Sequence, residues 1–484
     1  MPQDNSYAIP YSPSSLYSPR TSTGKLTSVQ KLLNHGIRYI RVQLVDPTNN
    51  VRYRVIPISQ FERMFEGPRP SITIFKGVLG MAFLGLAPGF IPDGEYLYVP
   101  DLSTLKYLPY KNAHASVLGW FQEKIPYRGA DEQLTTKVES CPRTLLQSVV
   151  ERAKETSGVE FLVGFETEFI LLNSTDPITA IHHNHAYSNS LALPTGSVAE
   201  IVLEEIADML QLSGVELLMY HPEASYGQYE IVTGPLPPLK AVDALVHTRE
   251  TIYNIASKHG LRATLAPRVF KNSCGSATHA HISVHSTKPS LSCPSPNEPN
   301  LTEAQASFLS GLLAELPAVS ALTLPLPASY SRVVDGVWSG GTYVCWGSEN
   351  REVPIRLCNP TEPASRNFEF KMLDGTANPY YALAAILGAG SAGVKEERPL
   401  QMKDCSGLSA AERGEEGRKA LGITQRMPLN WEEARKSLRE SDVVKAALGE
   451  EVVDAYLRVN QFMAKSLDAP YDEHAKMKLL VENY

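Results

Sequence analysis

The chain switches between two hydrophobic periods, and the switches outline its elements. From Ile37 to Ile56 apolar and polar residues alternate in two short runs broken by Asp46-Pro-Thr-Asn-Asn50. Period-two alternation around an Asp/Asn break predicts a β-hairpin. Another short strand is predicted at Tyr96–Val99, so the chain opens with a small β-rich domain. Helical spacing then begins. A helix is predicted at 143–157, between Pro142 and Gly158, and an amphipathic one at 240–259. The latter puts Val242, Leu245, Val246, Ile252 and Ile255 on one side and ends at Gly260. Strands and helices alternate to about residue 395, with a Ser/Pro/Asn loop at 286–302. From 429 onward, Trp431-Glu-Glu-Ala and Val443–Met463 predict a helical tail. Residues 1–25 read as a disordered arm. The expected organisation is that arm, a domain at 26–135 and a second at 136–484.

The alternation also sorts chemistry onto faces. In Val159–Leu172, taken as a strand, Phe161, Val163, Phe165 and Phe169 share one face. Leu162, Gly164, Glu166 and Glu168 share the other. Carboxylates two apart on one face repel unless a cation lies between them, and alone such a pair is usually a solvated edge. Three more strands repeat the division. Gln228 and Glu230 oppose Tyr229 and Ile231, with Glu223 just upstream. His279, His281 and Ser283 oppose Ala280, Ile282 and Val284. Glu369 and Lys371 oppose Phe368, Phe370 and Met372. Oxygen-rich donors with one or two imidazoles suit Mg²⁺ or Mn²⁺ better than zinc, and such ions serve phosphoryl transfer. Arg332, Arg351 and Arg356 fall between the histidine and Lys371 segments, and guanidinium groups bind phosphate and carboxylate bidentately. No P-loop pattern is present.

Composition narrows the class. The 484 residues carry 45 basic and 52 acidic groups, a net charge of −7, with 43% hydrophobic and 20% charged residues. That is ordinary globular composition, without the basic footprint of a nucleic-acid binder or a polybasic membrane patch. The greasy stretch Gly77–Ile91 is too short and too broken to span a bilayer. Six scattered cysteines form no C-x-x-C pair, and Met1–Thr23 lacks the apolar core of a secretion signal. The expectation is a cytoplasmic protein with no nucleic-acid or membrane partner.

Taken in order, Glu166-x-Glu168, Glu223 with Gly227-Gln-x-Glu230, Gly275-Ser-x-x-His-x-His281, Ser329-Tyr-x-Arg332, Asn350-Arg351 with Arg356, and Glu369 with Asn378-Pro-Tyr380 resemble the glutamine synthetases. The pattern is similar to the fungal FluG-type branch, with its Trp338-x-Gly, Trp346-Gly, Asn350-Arg-Glu and Lys371-x-Leu-Asp-Gly segments. The resemblance covers about residues 30–484. It implies an α+β protein: an N-terminal β-grasp domain and a catalytic domain on a curved antiparallel sheet with helices. It also implies a homo-oligomeric ring with active sites between subunits. By position, Glu168, Glu223 and Glu230 resemble the ligands of one Mg²⁺ or Mn²⁺, and Glu166, His279 and Glu369 those of the other. His281 and Ser283 fall where the family contacts ATP. Arg351 and Arg356 match its phosphate-binding arginines, and Arg332 its binder of the substrate carboxylate. The implied reaction phosphorylates a side-chain carboxylate with ATP and displaces the phosphate with an amine.

The resemblance breaks at the amine side. Trp338 stands where the family's flap carries an acid that helps deprotonate ammonium; an indole takes no proton but can stack on a larger amine. Lys371 replaces an arginine, exchanging a fork for a point charge. Cys274, before Gly275, replaces an asparagine that contacts the glutamate substrate. Phe75–Met81 offers no counterpart to the ammonium-site aspartate, and Glu95 is the nearby acid. Three readings follow: ligation of glutamate or a related acid to an amine other than ammonia, ordinary glutamine synthesis with a rebuilt flap, and a regulatory protein that keeps the fold without turnover.

Overall fold

The computed structural model describes residues 32–129, 132–183 and 187–484. The arm expected at 1–25 lies outside the described residues.

The N-terminal part contains β1 (Tyr39–Val45), β2 (Val51–Pro57), β3 (Ile72–Phe75), β4 (Met81–Ala82), β5 (Gly85–Leu86), β6 (Glu95–Pro100), β7 (Lys106–Tyr107), β8 (His114–Val117), β9 (Gly119–Arg128) and β10 (Leu134–Lys137). The predicted hairpin is β1–β2, paired antiparallel from Tyr39 opposite Pro57 to Val45 opposite Val51. β8 returns parallel to β1, giving the order β2-β1-β8-β7 with the helix Ile58–Met64 following the hairpin. This is a β-grasp arrangement. A second sheet, β10-β9-β6-β3, packs beside it over Ile40, Val42, Phe61, Tyr98 and Phe121. β10 ends at Lys137, close to the expected boundary at 135.

The second part is built on one long strand, β11 (Val159–Thr175). Around it lie β12 (Ile178–Ala180), β13 (Leu217–Pro222), β14 (Gln228–Thr233), β15 (Arg262–Thr264), β16 (Ala280–Ser286), β17 (Trp346–Ser348), β18 (Ile355–Cys358) and β19 (Asn367–Phe370). The main path runs β13-β14-β11-β16-β19-β18-β17, antiparallel except for β17 beside β18. Phe161, Val163, Phe165, Ile282, Phe368 and Phe370 bury the predicted apolar face against the helices Glu303–Thr323 and Pro379–Lys395. Glu303–Thr323 is, among the described residues, the one helix long and apolar enough to cross a membrane, but 83% of its apolar window is buried inside the protein.

The other predicted helices form with small shifts. Pro142–Arg152 widens into a π turn at Ala153–Ser157 and stops at Gly158, while the amphipathic helix runs Pro238–Lys258. The 286–302 loop contains a short 3₁₀ turn at Pro289–Ser292. The tail is four helices: Trp431–Glu440, Asp442–Leu448, Glu450–Asp468 and Glu473–Asn483.

The hairpin turn joins the two parts. Asp46 accepts from the backbone N–H groups of Thr48 and Asn50 and pairs with Arg52 at 2.7 Å. Asn49 Nδ2 donates to Gly375 O, and Asn378 Nδ2 donates to Asp46 O. Asn378 also caps Pro379–Lys395 through the N–H groups of Tyr380 and Tyr381. The Asn-Pro-Tyr motif is thus a structural joint. Nearby, buried Arg143 donates to Asp101 at 3.0 Å and Asp243 at 2.8 Å, and Tyr380 donates to Asp243 at 2.6 Å. Removing the cation would strand two buried carboxylates. Arg143→Met is expected to destabilise the protein by about 3–5 kcal/mol, read as a lower denaturation midpoint in urea; an unchanged midpoint would show the network to be dispensable.

Candidate active site

Register assembles the site. Glu168 lies opposite Glu230 across β11 and β14. His281 lies opposite Gly164 on β11 and opposite Glu369 on β19, and Arg356 on β18 lies opposite Glu369. Because alternate residues face one side, this row of acids, imidazoles and one guanidinium emerges on the face away from the apolar core. His279 continues the row just before β16, its carbonyl accepting from Glu166 N–H.

Glu166 is the hub. Its carboxylate is 2.8 Å from His279 Nδ1 and 3.0 Å from His281 Nε2. His279 Nδ1 is also 3.3 Å from Glu369, which pairs with Arg356 and, at 3.2 Å, with Lys371. Glu168 accepts from Gln228 Nε2 at 3.1 Å and from the Ala277 N–H at 3.0 Å. His221 Nε2 is 3.1 Å from Glu230, and its Nδ1 is 3.6 Å from Glu223. Of the six residues expected to hold metal, Glu166, Glu223, Glu230, His279 and Glu369 have ligand atoms close enough to share an ion with others, and Glu168 does not, its carboxylate being held by Gln228 and the Ala277 N–H. Ligand atoms close enough to share one ion fall into three groups: Glu166, Glu230 and His279; Glu166, His281 and Glu369; and His221, Glu223 and Glu230. These groups cut across the division implied by the resemblance. They also include His221, which sequence reasoning passed over as a neighbour of Glu223.

The charges are unevenly balanced. Burial, reinforced by Glu223, pushes the Glu168 carboxyl up to about 8. Burial and the proximity of Glu230 raise Glu223 to about 7; burial raises Glu230 likewise, against its bond to His221. On the other side burial is outweighed: Lys371, His279 and Arg356 hold Glu369 down to about 2. Glu166 is lowered by His279 and His281 despite burial. Burial, with Lys371 beside it, lowers His279 to about 4, so its imidazole is neutral and keeps a lone pair for a metal. The bond to Glu230 raises His221 to about 9 against burial, so one imidazolium stands among three crowded carboxylates; that donor set, with the neutral imidazole of His279, fits a hard divalent ion.

The remaining expected residues surround this cluster. Arg332 ends the turn Pro327–Arg332, is buried, and places both terminal nitrogens 3.4 Å from Lys371 O. Its Nε has no hydrogen-bond partner among the described residues. A side chain at Gly275 would meet Pro267 O at 2.6 Å and Arg332 Cβ at 2.8 Å, which accounts for glycine there. Cys274 beside it is exposed. Ser283 bonds His285 at 2.8 Å, two positions beyond His281 on the same face. Glu95 is ion-paired with Lys124 and Lys76 with Glu123, so both are engaged within the N-terminal sheet. Arg351 is not in the cluster: it lines a cavity of about 700 Å³ with Trp338, Glu352, Ser409 and Glu412. Trp338 is 63% exposed and has φ +57°, a conformation costing a bulky residue about 1–3 kcal/mol.

Residues 139–474 match the model of the glutamine synthetase catalytic domain. Protein fluG of Emericella nidulans is 37% identical over 460 residues, which are 93% of this chain and 49% of that protein. The chain therefore spans about half the length of that relative. The gamma-glutamylpolyamine synthetase GlnA3 of Streptomyces coelicolor is 29% identical over 458 residues, 92% of this chain and 93% of the relative. Among solved structures, a GmaS–ADP complex superposes with a TM-score of 0.76 at 21% identity, covering 92% of this chain and 97% of that one.

The raised carboxyls generate a pH prediction. Glu168, Glu223 and Glu230 titrate at about 8, 7 and 7 in the folded protein, above the ordinary value of about 4.5. Their protonated forms favour the metal-free fold below 4.5, and that contribution is lost as pH rises through 7 to 8. A metal displaces these protons. Mg²⁺ should therefore bind more tightly, and raise the melting temperature more, at pH 8 than at pH 6, releasing protons at neutral pH. A thermal shift independent of pH would contradict these assignments.

Proposed function

This chain belongs to the glutamine synthetase family, and we propose that it is an ATP-dependent ligase joining the γ-carboxylate of glutamate, or a related acid, to an amine other than ammonia. The observation that carries this reading is the contrast between the intact carboxylate–imidazole row and Trp338 at the flap.

Glu166, Glu168, Glu223, Glu230, His279 and Glu369 would hold Mg²⁺ or Mn²⁺, which when bound neutralises charge on phosphate oxygens. Arg356, locked to Glu369, and Arg351 bind the phosphates of ATP, while His281 and Ser283 take the rest of the nucleotide contact. Arg332 holds the carboxylate of the acid substrate against Gly275 and Cys274. Its unpartnered Nε and desolvated guanidinium support that role, since a buried cation gains most from a carboxylate. Lys371 adds positive charge beside Glu369 without an arginine's bidentate fork.

The reaction then runs in two displacements. A carboxylate oxygen attacks the γ-phosphorus, the bond to the bridging oxygen breaks, and ADP leaves. The amine nitrogen attacks the acyl carbon, the C–O bond breaks, phosphate leaves, and the amine proton passes to water. Trp338 cannot receive that proton. An exposed indole is suited instead to an organic cation, by stacking and cation–π attraction. The similarity to GlnA3, named for polyamines, supports an organic amine. Ring assembly with sites completed between subunits, and a cytoplasmic setting, belong to the same reading.

Ordinary glutamine synthesis is the second reading, favoured by the family model itself. Incubation with ATP, Mg²⁺ and glutamate against a panel of amines separates the two: phosphate release should depend on an organic amine, and efficient turnover with ammonium alone would overturn the first reading. Trp338→Glu restores a flap acid and should raise ammonium-dependent turnover by about tenfold or more.

A further inference from the structure

The Trp338 loop is held in an unusual way. Between Asp335 and Thr342, Gly336, Trp338, Gly340 and Gly341 have φ of +80°, +57°, +97° and +69°. Only glycine adopts such angles freely, so the indole is held at Trp338 by its surroundings. At the neck, Asp335 accepts from Thr342 N–H at 2.9 Å and Thr342 Oγ1 at 2.8 Å. At the tip, Glu352 accepts from Gly336 N–H at 3.0 Å and also from Trp338 N–H. Glu352 is itself fixed, because its N–H donates to Asn350 Oδ1 at 2.9 Å while Asn350 Nδ2 donates to Cys405 O at 2.6 Å. The loop backbone runs close to the strand end that carries Lys371: a side chain at Gly340 would meet Met372 Cε at 2.7 Å and Lys371 Cβ at 3.4 Å, and Lys371 bonds Glu369.

We infer that Glu352 is a positioning residue for amine selection: its carboxylate, accepting from the Gly336 and Trp338 N–H groups, holds Trp338 on the wall of the cavity that Arg351 also lines. This rests on the reading that an organic amine is the second substrate. A carboxylate suits the task because both oxygens accept strongly from backbone N–H groups, whereas an amide offers one acceptor oxygen. Glu352 acts through Trp338 and contacts no expected metal ligand.

The test combines kinetics with emission, using the full chain. Trp120, Trp346 and Trp431 are buried and Trp338 is exposed, so subtracting the Trp338→Phe spectrum isolates the reporter. Glu352→Ala should shift Trp338 emission and increase its quenching by acrylamide. It should also raise KM for the organic amine by about tenfold, with KM for ATP and glutamate unchanged. Glu352→Asp should recover part of both effects, and Glu352→Ala should add nothing in a Trp338→Ala background. Glu352→Gln supplies an isosteric variant should the alanine protein fold poorly. Unaltered emission, or an amine KM that stays constant or rises additively with Trp338→Ala, overturns the assignment. Turnover with ammonium only would instead refute the underlying amine reading, and emission alone would still decide whether Glu352 holds the loop.

Discussion

Everything in the site depends on the register of β11 against β14 and β16. A slip of one residue would turn Glu166 and Glu168 into the core and Phe165 and Thr167 toward the site. That slip is opposed by the apolar face, where Phe161, Val163 and Phe165 pack with Ile282, Phe368 and Phe370. The hydrophobic layer on one side of the sheet thus fixes the spacing of charges on the other. The charges oppose folding: Glu168, Glu223 and Glu230 are drawn from water toward one another, with His221 beside the last two and Arg332 and Lys371 only partly offsetting burial at Glu168. The sheet tolerates them because the carboxyls can hold protons until a cation replaces those protons.

The two flanks of the row consequently differ. On the β18–β19 flank, Arg356 and Lys371 keep Glu369 ionised, and two imidazoles do the same for Glu166. On the β13–β14 flank no arginine or lysine pairs with the acids among the described contacts. The first flank is internally ion-paired; the second holds carboxyls raised toward neutrality. On the proposed reading the first would anchor phosphate and the second would gather a metal. The Trp338 loop lies beside this flank, its Gly340 backbone passing close to Lys371 and Met372.

Much of this was legible in sequence because β-strands have period two. The faces of Val159–Leu172, of the strand around Glu230, of His279–Val284 and of Phe368–Met372 could be sorted without coordinates, and so could the hairpin around Asp46–Asn50. What was illegible depends on long-range pairing or lacks a period. Glu303–Thr323 is buried on all sides, so no polar stripe marks it. The sharing of Glu166 and Glu230 between ligand groups, the role of His221 and the grip of Glu352 on Trp338 arise from segments that meet only in the fold. Asn378-Pro-Tyr380 was visible as part of the family pattern, but its work as a helix cap and domain joint required Asp46 and Asp243 to be seen beside it.

The central claim is that the acidic row activates a carboxylate by phosphorylation. The direct measurement is to supply glutamate labelled with ¹⁸O in its γ-carboxylate, with ATP, Mg²⁺ and a productive amine, and to analyse the released phosphate by mass spectrometry. Attack of the carboxylate on the γ-phosphorus leaves one labelled oxygen in each phosphate produced, and the account predicts that transfer. Phosphate released without label, at the rate of amide formation, would contradict it.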